Sequence, residues 1–382
     1  MIPLSVPNIS GNELKYVKDC LDTGWISSAG AYVNKFEESV RAYTGSKYAV
    51  ACMNGTAGLQ ISLLLAGVTN KDIVIAPNLT FVATLNSISY TGAQIILVDV
   101  CKNTWQLDVD LLHKWLKENA IIKIFKGKKI AVEKLTGKKI GAIIPVYVLG
   151  GFVNIEQLLK ISEAYAIPII EDSTESLGSF KNNKHSGTYG ITGVISFNGN
   201  KIISSGGGGM ILTNDKDIAK RAKHITTTAK SDPLDYFHDE VGYNYRLVNV
   251  LAAIGLAQME NFEMILKRKK EIDYLYRKEL SGVGDIIFQE NEADSQPNCW
   301  LFTFRTKKMR ELLSYLNDKK IQSRPFWTPM NNLPMYNNLI YVNENDISNS
   351  IFKECISIPS SSNLTDSDQH KVILEIKNFY KL

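Results

Sequence analysis

The sequence predicts an α/β fold, with a mostly parallel seven-stranded sheet flanked by helices and a smaller C-terminal α+β domain. Two patterns support this prediction. Short apolar runs alternate with helical patterns over residues 48–214, as they do where crossover helices connect the strands of a parallel sheet. A long helical pattern then covers residues 247–280, and it is long enough to lead into a second domain.

Chain length supports the division into domains. A chain of 382 residues exceeds the roughly 250–300 residues at which a single hydrophobic core usually stops growing. We therefore expect a large domain over residues 1–247, with an N-terminal arm over about 1–30, and a small α+β domain over residues 248–382.

The seven predicted strands are short apolar runs that each end in polar or turn-forming residues. They cover residues 48–52, 73–76, 95–98, 142–146, 167–170, 194–197 and 210–213. Between them, residues 56–66 and 155–165 carry apolar side chains at helical spacing, and Asn154 is a suitable N-cap for the second of these helices.

Composition and charge exclude several classes of protein. The 43 basic and 39 acidic residues leave a net charge of +4, which is too small an excess to indicate a nucleic-acid partner. Five scattered cysteines form no CxxC pair, which disfavours a disulfide framework and a metal site and fits reduced thiols in the cytoplasm. We expect neither secretion nor membrane insertion, because the first residues and the later apolar runs match neither signal.

Lysines are concentrated in one part of the predicted large domain. Residues 123–129 read KIFKGKK, and residues 136–139 read TGKK. The pattern favours a solvated hairpin or loop, although binding of a polyanion is the alternative interpretation.

Two charged residues lie where a ligand site is expected. Asp172 ends an apolar strand, and Lys201 follows another and precedes the glycine run 206–209. Ligands of open α/β sheets bind beyond the carboxyl ends of the strands. Pyridoxal phosphate (PLP) requires a lysine that forms a Schiff base and a carboxylate that faces the pyridinium nitrogen. Asp172 and Lys201 are candidates for these two roles.

The other groups that PLP requires are also present. Gly55, Thr56 and Ala57 lie where a strand leads into a helix, so backbone amides there can bind a phosphate. Ser196 offers a further hydroxyl, and Phe81 is a candidate to cover the pyridine ring. Taken singly, these residues are as well explained by a cap, a turn or a core position. Their joint occurrence at strand ends favours a cofactor site.

These motifs resemble those of the DegT/DnrJ/StrS sugar aminotransferases, a PLP-dependent family of fold type I. The resemblance extends over nearly the whole chain and rests on residues 22–28, 54–57, 80–84, 171–172, 196–201 and 242–247. It implies that Lys201 is the catalytic Schiff-base lysine, that Asp172 pairs with the pyridine nitrogen, and that Phe81 stacks on the ring.

The resemblance assigns further contacts with the cofactor. Thr56 and Ser196 are expected to hold its phosphate beside Gly55 and Ala57, and Glu175 stands near its 3-hydroxyl, where the family usually has Gln or His. In the family, the residue that matches Asn244 reaches the phosphate of the neighbouring subunit. A homodimer with shared active sites is therefore expected.

The resemblance also points to a substrate class. Trp25, Tyr147, Arg324 and Trp327 are the expected substrate-binding residues, and Tyr147 stands where the family often has His. The branch most similar to this chain aminates C4 of a nucleotide-linked 4-keto-6-deoxy-N-acetylhexosamine with L-glutamate. The expected substrate is UDP-linked and of the legionaminic-acid or bacillosamine type used for bacterial surface sugars, and a GDP-perosamine-type enzyme is the alternative.

Two alternatives of other classes use the same fold. A PLP-dependent sugar dehydratase of this family carries His at the position of Lys201, so the lysine argues against it. A non-catalytic PLP-binding regulator is expected to show a DNA-binding extension or a degraded cofactor site.

Overall fold

The computed structural model describes residues 1–232 and 234–381, which form twelve α-helices and nineteen short strands. The helices are α1 (Glu13–Thr23), α2 (Ala31–Thr44), α3 (Gly55–Leu65), α4 (Ala83–Ser89), α5 (Val109–Asn119), α6 (Ile155–Tyr165), α7 (Lys216–Thr226), α8 (Asn249–Glu260), α9 (Phe262–Leu280), α10 (Met309–Asp318), α11 (Ile347–Glu354) and α12 (Asp366–Lys381). The first eleven strands are β1 (Tyr48–Cys52), β2 (Asp72–Pro77), β3 (Gln94–Val98), β4 (Ala120–Phe125), β5 (Lys128–Glu133), β6 (Lys139–Ile143), β7 (Ile170–Asp172), β8 (Phe180–Lys181), β9 (Lys184–His185), β10 (Thr192–Ser196) and β11 (Gly209–Thr213). The remaining strands are β12 (Lys230–Asp232), β13 (Phe237–His238), β14 (Ile287–Phe288), β15 (Ser295–Gln296), β16 (Phe302–Arg305), β17 (Arg324–Pro325), β18 (Ile340–Val342) and β19 (Cys355–Ile358).

All seven predicted strands are present in the main sheet. Their spatial order is β3-β2-β6-β7-β10-β11-β1, and β6 meets β7 through the bridges Ile143–Ile169 and Val146–Asp172. Neighbouring strands are parallel except where β11 pairs with β10 and with β1. The prediction of a mostly parallel sheet is confirmed, with β11 as its antiparallel strand.

Helices cover both faces of this sheet because successive side chains of a buried strand point to opposite sides. In β2, Ile73 and Ile75 pack in the cluster that contains α5 and α6, whereas Val74 and Ala76 pack in the cluster that contains α3 and α4. Burial on both faces explains why the strands read as continuous apolar runs.

Two additions extend the sheet beyond the prediction. The lysine-rich segment forms the hairpin β4–β5, which joins β6 through the pair Val132–Lys139. From the C-terminal part of the chain, β18 pairs in parallel with β3. Both pairings are long-range contacts that local periodicity does not encode.

The C-terminal part forms the predicted smaller α+β unit. Its antiparallel sheet has the order β14-β16-β19-β17, and its core includes side chains of α9, α10 and α12. The long helical pattern consists of two helices, α8 and α9, which meet at Asn261. The domain boundary at residue 247 stays a prediction: β18 lies in the large sheet, and Ile2 packs in the C-terminal core.

In the described part of the chain, no helix combines the length and the apolar character needed to cross a membrane.

Candidate functional site

A cavity of about 430 Å³ lies beyond the carboxyl ends of the parallel strands. β7 contributes Asp172, β10 contributes Ser196, and the N-terminus of α3 borders the same space. The structure brings eight of the predicted site residues together in its lining. They are Gly55, Thr56, Phe81, Asp172, Glu175, Ser196, Lys201 and Trp327.

Lys201 lies in the loop between β10 and β11, and its amide donates to the carbonyl of Asn198 at 3.0 Å. Its Nζ lies 3.8 Å from Oε1 of Glu175 and 4.3 Å from the ring centroid of Trp300. The Trp300 Nε1 donates to the carbonyl of Asn200 at 2.7 Å. The loop and the amine are therefore held between an acidic group and an aromatic face.

Asp172 is held by three donors. Thr84 Oγ1 donates to Oδ2 at 2.7 Å, while the hydroxyl and the amide of Thr174 donate to Oδ1 at 2.8 and 3.2 Å. The Thr84 hydroxyl also bonds to that of Thr80 at 2.8 Å. Donors of this kind fix the orientation of a carboxyl group. Asp172 can therefore face a positively charged ring nitrogen.

Glu175 is almost completely buried, at 3% exposure. Burial raises the pKa of Glu175 to about 7, and the charge of Lys201 acts in the opposite direction. Its Oε2 accepts from the amide of Leu149 at 2.9 Å. The carboxyl group next to Lys201 can therefore gain or lose a proton near neutral pH.

The N-terminus of α3 has the form of an anion site. The Asn54 side chain caps it by accepting from Ala57 N at 2.8 Å. Among the described residues, the amides of Gly55 and Thr56 have no hydrogen-bond partner. Unpaired amides at a helix N-terminus favour a phosphate group.

The space beside Gly55 is tight, because a Cβ there would lie 2.9 Å from Cγ2 of Thr174 and 3.1 Å from Cβ of Ser196. A glycine thus keeps the approach to these amides open. Together with Lys201 and Asp172, these donors form a set that fits PLP, with an amine, a carboxylate and a phosphate cradle around one cavity.

Aromatic side chains line another part of the cavity. Phe81 contacts Trp327 edge-to-face at 6.1 Å between centroids, and Trp327 stacks on Trp300 at 6.4 Å. Sequence reasoning missed Trp300, which lies just before β16, about a hundred residues after Lys201. No local sequence pattern indicates a role for Trp300, because its position depends on how the C-terminal unit packs against the loop that carries Lys201.

Five predicted site residues do not line this cavity. Ala57 is buried, with its amide bound to Asn54. Tyr147 is buried in the core, where its hydroxyl donates to Glu171, so contact with a substrate would require it to leave this position. Trp25 and Arg324 are exposed. Asn244 is also exposed, and it lines a separate surface cavity with Arg246.

Comparison with known proteins gives one consistent result. The model of the DegT/DnrJ/EryC1/StrS aminotransferase family matches residues 7–377. The GDP-perosamine synthase of Escherichia coli O157:H7 is 34% identical over 382 residues, which cover 99% of this chain and 98% of that protein. EpsN of Bacillus subtilis (strain 168), named as a candidate pyridoxal phosphate-dependent aminotransferase, is 33% identical over 97% of this chain and 94% of its own length. The solved sugar aminotransferase CalS13 from Micromonospora echinospora matches at 26% identity with a TM-score of 0.86, over 99% of this chain and 100% of that chain.

Proposed function

Because this chain belongs to the DegT/DnrJ/EryC1/StrS aminotransferase family, we propose that it transfers an amino group from L-glutamate to C4 of a nucleotide-linked 4-keto-6-deoxyhexose. Family membership makes it a PLP-dependent nucleotide-sugar aminotransferase, in the enzyme class 2.6.1, that serves glycan biosynthesis.

The residue assignments rest on the shared lining of one cavity. Lys201 and Asp172 line the same cavity as the unpaired amides of Gly55 and Thr56. These groups come from three separate elements: Asp172 ends β7, Lys201 lies in the loop after β10, and Gly55 and Thr56 begin α3. A lysine on the surface, or a carboxylate that only caps a helix, would not share a buried cavity with a phosphate cradle.

When bound, PLP supplies an electron sink that makes the α-proton of an amino acid removable. Lys201 would hold the cofactor through Nζ. The same Nζ would take the proton from Cα of the donor amino acid, and in the second half-reaction it would deliver a proton to C4 of the sugar. One side chain therefore serves both halves of the reaction.

The neighbours of Lys201 have supporting roles. Asp172 would hold the protonated ring nitrogen of the cofactor, and the three donors to Asp172 keep its carboxylate oriented. Glu175 Oε1 lies 3.8 Å from Nζ of Lys201, close enough for the two charges to interact. The rings of Phe81, Trp327 and Trp300 exclude water from one side of the cavity and offer flat faces to a sugar or a base.

The relatives favour a different nucleotide from the one that we expected from the sequence. The branch resemblance led us to expect a UDP-linked N-acetylated sugar of the legionaminic-acid type. The nearly full-length similarity to a protein named GDP-perosamine synthase favours the alternative. We therefore propose a GDP-linked substrate without an N-acetyl group, as in a GDP-perosamine-type 4-aminotransferase.

A homodimer is the second part of the proposal. Asn244 matches the family motif for a phosphate contact, yet it is exposed and lies outside the lining of the cavity of its own subunit. A residue in this position can serve a cofactor phosphate only in another subunit. Dimerisation would therefore complete each site.

The proposal is tested by incubating the PLP-loaded protein with L-glutamate and a panel of GDP-, UDP- and dTDP-linked 4-keto-6-deoxy sugars. We expect an aminated product with the highest kcat/KM for the GDP-linked sugar. A preference for a UDP-linked N-acetylated sugar would restore the expectation from sequence. Loss of a sugar hydroxyl without amination would indicate a dehydratase, and a cofactor that glutamate does not convert would indicate a regulator.

A further inference from the structure

The lysine-rich segment forms a regular hairpin that the proposed reaction does not use. β4 pairs with β5 from Ala120–Glu133 to Phe125–Lys128. The two turn residues, Lys126 and Gly127, have φ angles of 47° and 76°, as a tight two-residue hairpin turn requires. Its base is anchored, because Ala131 packs in the main core. The hairpin is therefore a defined projection of the sheet.

The outer part of the hairpin, residues 123–129, is called the tip here, and every residue in it is exposed. It carries two bulky apolar side chains, Ile124 at 67% exposure and Phe125 at 59%. The other side chains in it are those of Lys123, Lys126, Lys128 and Lys129. Among the described residues, none of these lysines forms an ion pair, and residues 120–132 include no Asp or Glu.

The pairing register spreads the apolar groups over both faces of the tip. Directly paired residues of antiparallel strands point to the same face, and successive residues point to opposite faces. Phe125 pairs with Lys128, and Ile124 pairs with Lys129. Phe125 thus shares one face with Lys123 and Lys128, and Ile124 shares the other face with Lys129. A protein groove or a nucleic acid would contact one face, whereas the interfacial layer of a bilayer surrounds both.

The tip is not part of the candidate cavity, since none of residues 123–129 lines it. β5 meets the sheet at Lys139, the first residue of β6. Asp172 is the last residue of β7, which runs parallel to β6 through the bridge Ile143–Ile169. The hairpin therefore joins the sheet at the amino-terminal end of β6, whereas the candidate cavity lies beyond the carboxyl ends of the strands.

We propose that the tip docks the protein on an anionic lipid bilayer, with Ile124 and Phe125 inserted at the interface and the four lysines on acidic headgroups. Anchoring at a membrane surface takes two weak signals, and an apolar insertion with a basic cluster supplies both. Pairing with a second copy through the edge strand β4 is disfavoured by Lys123, because a lysine on an edge strand opposes edge-to-edge association.

The proposal is tested by sedimentation of the full-length, PLP-loaded protein with vesicles of phosphatidylcholine, with and without phosphatidylglycerol. We expect binding to the vesicles that contain phosphatidylglycerol, and we expect added salt to weaken it. Lys126→Gln with Lys128→Gln, and separately Ile124→Ser with Phe125→Ser, should each lower the partition coefficient by about tenfold or more. The conversion of the cofactor by glutamate should be unchanged in both variants.

The exposed face of α9 provides matched controls. Lys267→Gln with Lys270→Gln removes the same charge, and Met264→Ser removes an exposed apolar side chain, so both should bind vesicles like the wild type. Equal binding to both kinds of vesicle, or unchanged binding by the tip variants, would overturn the proposal. It would also be overturned if the wild type did not bind the vesicles and the tip variants changed the oligomeric state or the binding of RNA.

Discussion

The Nζ of Lys201 lies 3.8 Å from Oε1 of Glu175, and both side chains line one end of the cavity. Burial raises the pKa of Glu175 to about 7, and the positive charge of Lys201 limits the rise. The amide of Leu149 holds the other carboxylate oxygen. Removal of the charge at Lys201 should therefore be measurable through the pKa of Glu175.

The first prediction concerns stability against pH in the cofactor-free protein. Because the pKa of Glu175 is about 7 in the folded chain and ordinarily near 4.5, the folded state binds this proton more tightly than the unfolded state does. The resulting stability is complete below about pH 4.5 and is lost as the pH rises through 7. Relative to Glu175→Gln, the wild type should lose about 2–3 kcal/mol between about pH 5 and pH 8.

Chemical denaturation of both proteins across this pH range provides the measurement. Glu311→Gln, which changes an exposed carboxyl on α10, serves as the control and should follow the wild type. Stability curves of wild type and Glu175→Gln that run parallel would show that folding does not raise the pKa of Glu175.

The second prediction concerns the phosphate cradle. A methyl group at Gly55 would meet Thr174 at 2.9 Å and Ser196 at 3.1 Å, so Gly55→Ala should push these side chains into the space that the phosphate needs. We expect PLP to bind at least about tenfold more weakly, through the loss of one charged hydrogen bond. Absorbance titration measures the affinity. Gly199→Ala, in the loop that carries Lys201, is the matched control, since a Cβ there meets no atom within 4 Å.

The third prediction distinguishes the charge of Asp172 from the hydrogen bonds that orient its carboxylate. Asp172→Asn removes the negative charge that would face the ring nitrogen, and it should slow the glutamate half-reaction by roughly 100-fold. Thr84→Val removes one donor to Asp172 and should slow this half-reaction by roughly tenfold. Stopped-flow absorbance follows both without a sugar substrate. An Asp172→Asn rate within about twofold of the wild type would remove Asp172 from the mechanism.

The fourth prediction concerns the shared site. Lys201→Ala should be inactive, and Asn244→Asp should be nearly so, because its new carboxylate would repel the phosphate of the partner subunit. In a mixed dimer of the two variants, one site carries both lesions and the other carries neither. Equal mixing should therefore restore about a quarter of the wild-type activity. Activity no higher than the mean of the two separate variants would contradict a site shared between subunits.

The parts of the fold that follow local rules could be predicted from the sequence. The seven strands were recognisable because each is apolar on both faces and ends in polar residues. Thr56, Asp172, Ser196 and Lys201 were recognisable because each ends or follows such a strand, and parallel strands bring their carboxyl ends to one edge of the sheet. The structure places these four residues around one cavity.

The remaining features depend on contacts that are distant in sequence or on the direction of one side chain. Trp300 reaches Lys201 only because the C-terminal unit packs beside its loop. Tyr147 follows β6 at the correct edge, but its neighbour Val146 lines the cavity and Tyr147 points the opposite way, into the core. Which of two neighbouring residues faces the cavity can be decided only when the register of the strand is known.

The most direct measurement identifies the lysine that carries the cofactor. Borohydride reduction of the PLP-loaded protein, followed by proteolysis and mass spectrometry, fixes the cofactor to its amine and locates it in the sequence. We predict one modified peptide that carries the cofactor on Lys201, and no modification in Lys201→Ala. A label on another lysine, or a Lys201→Ala protein that still converts glutamate, would contradict the account.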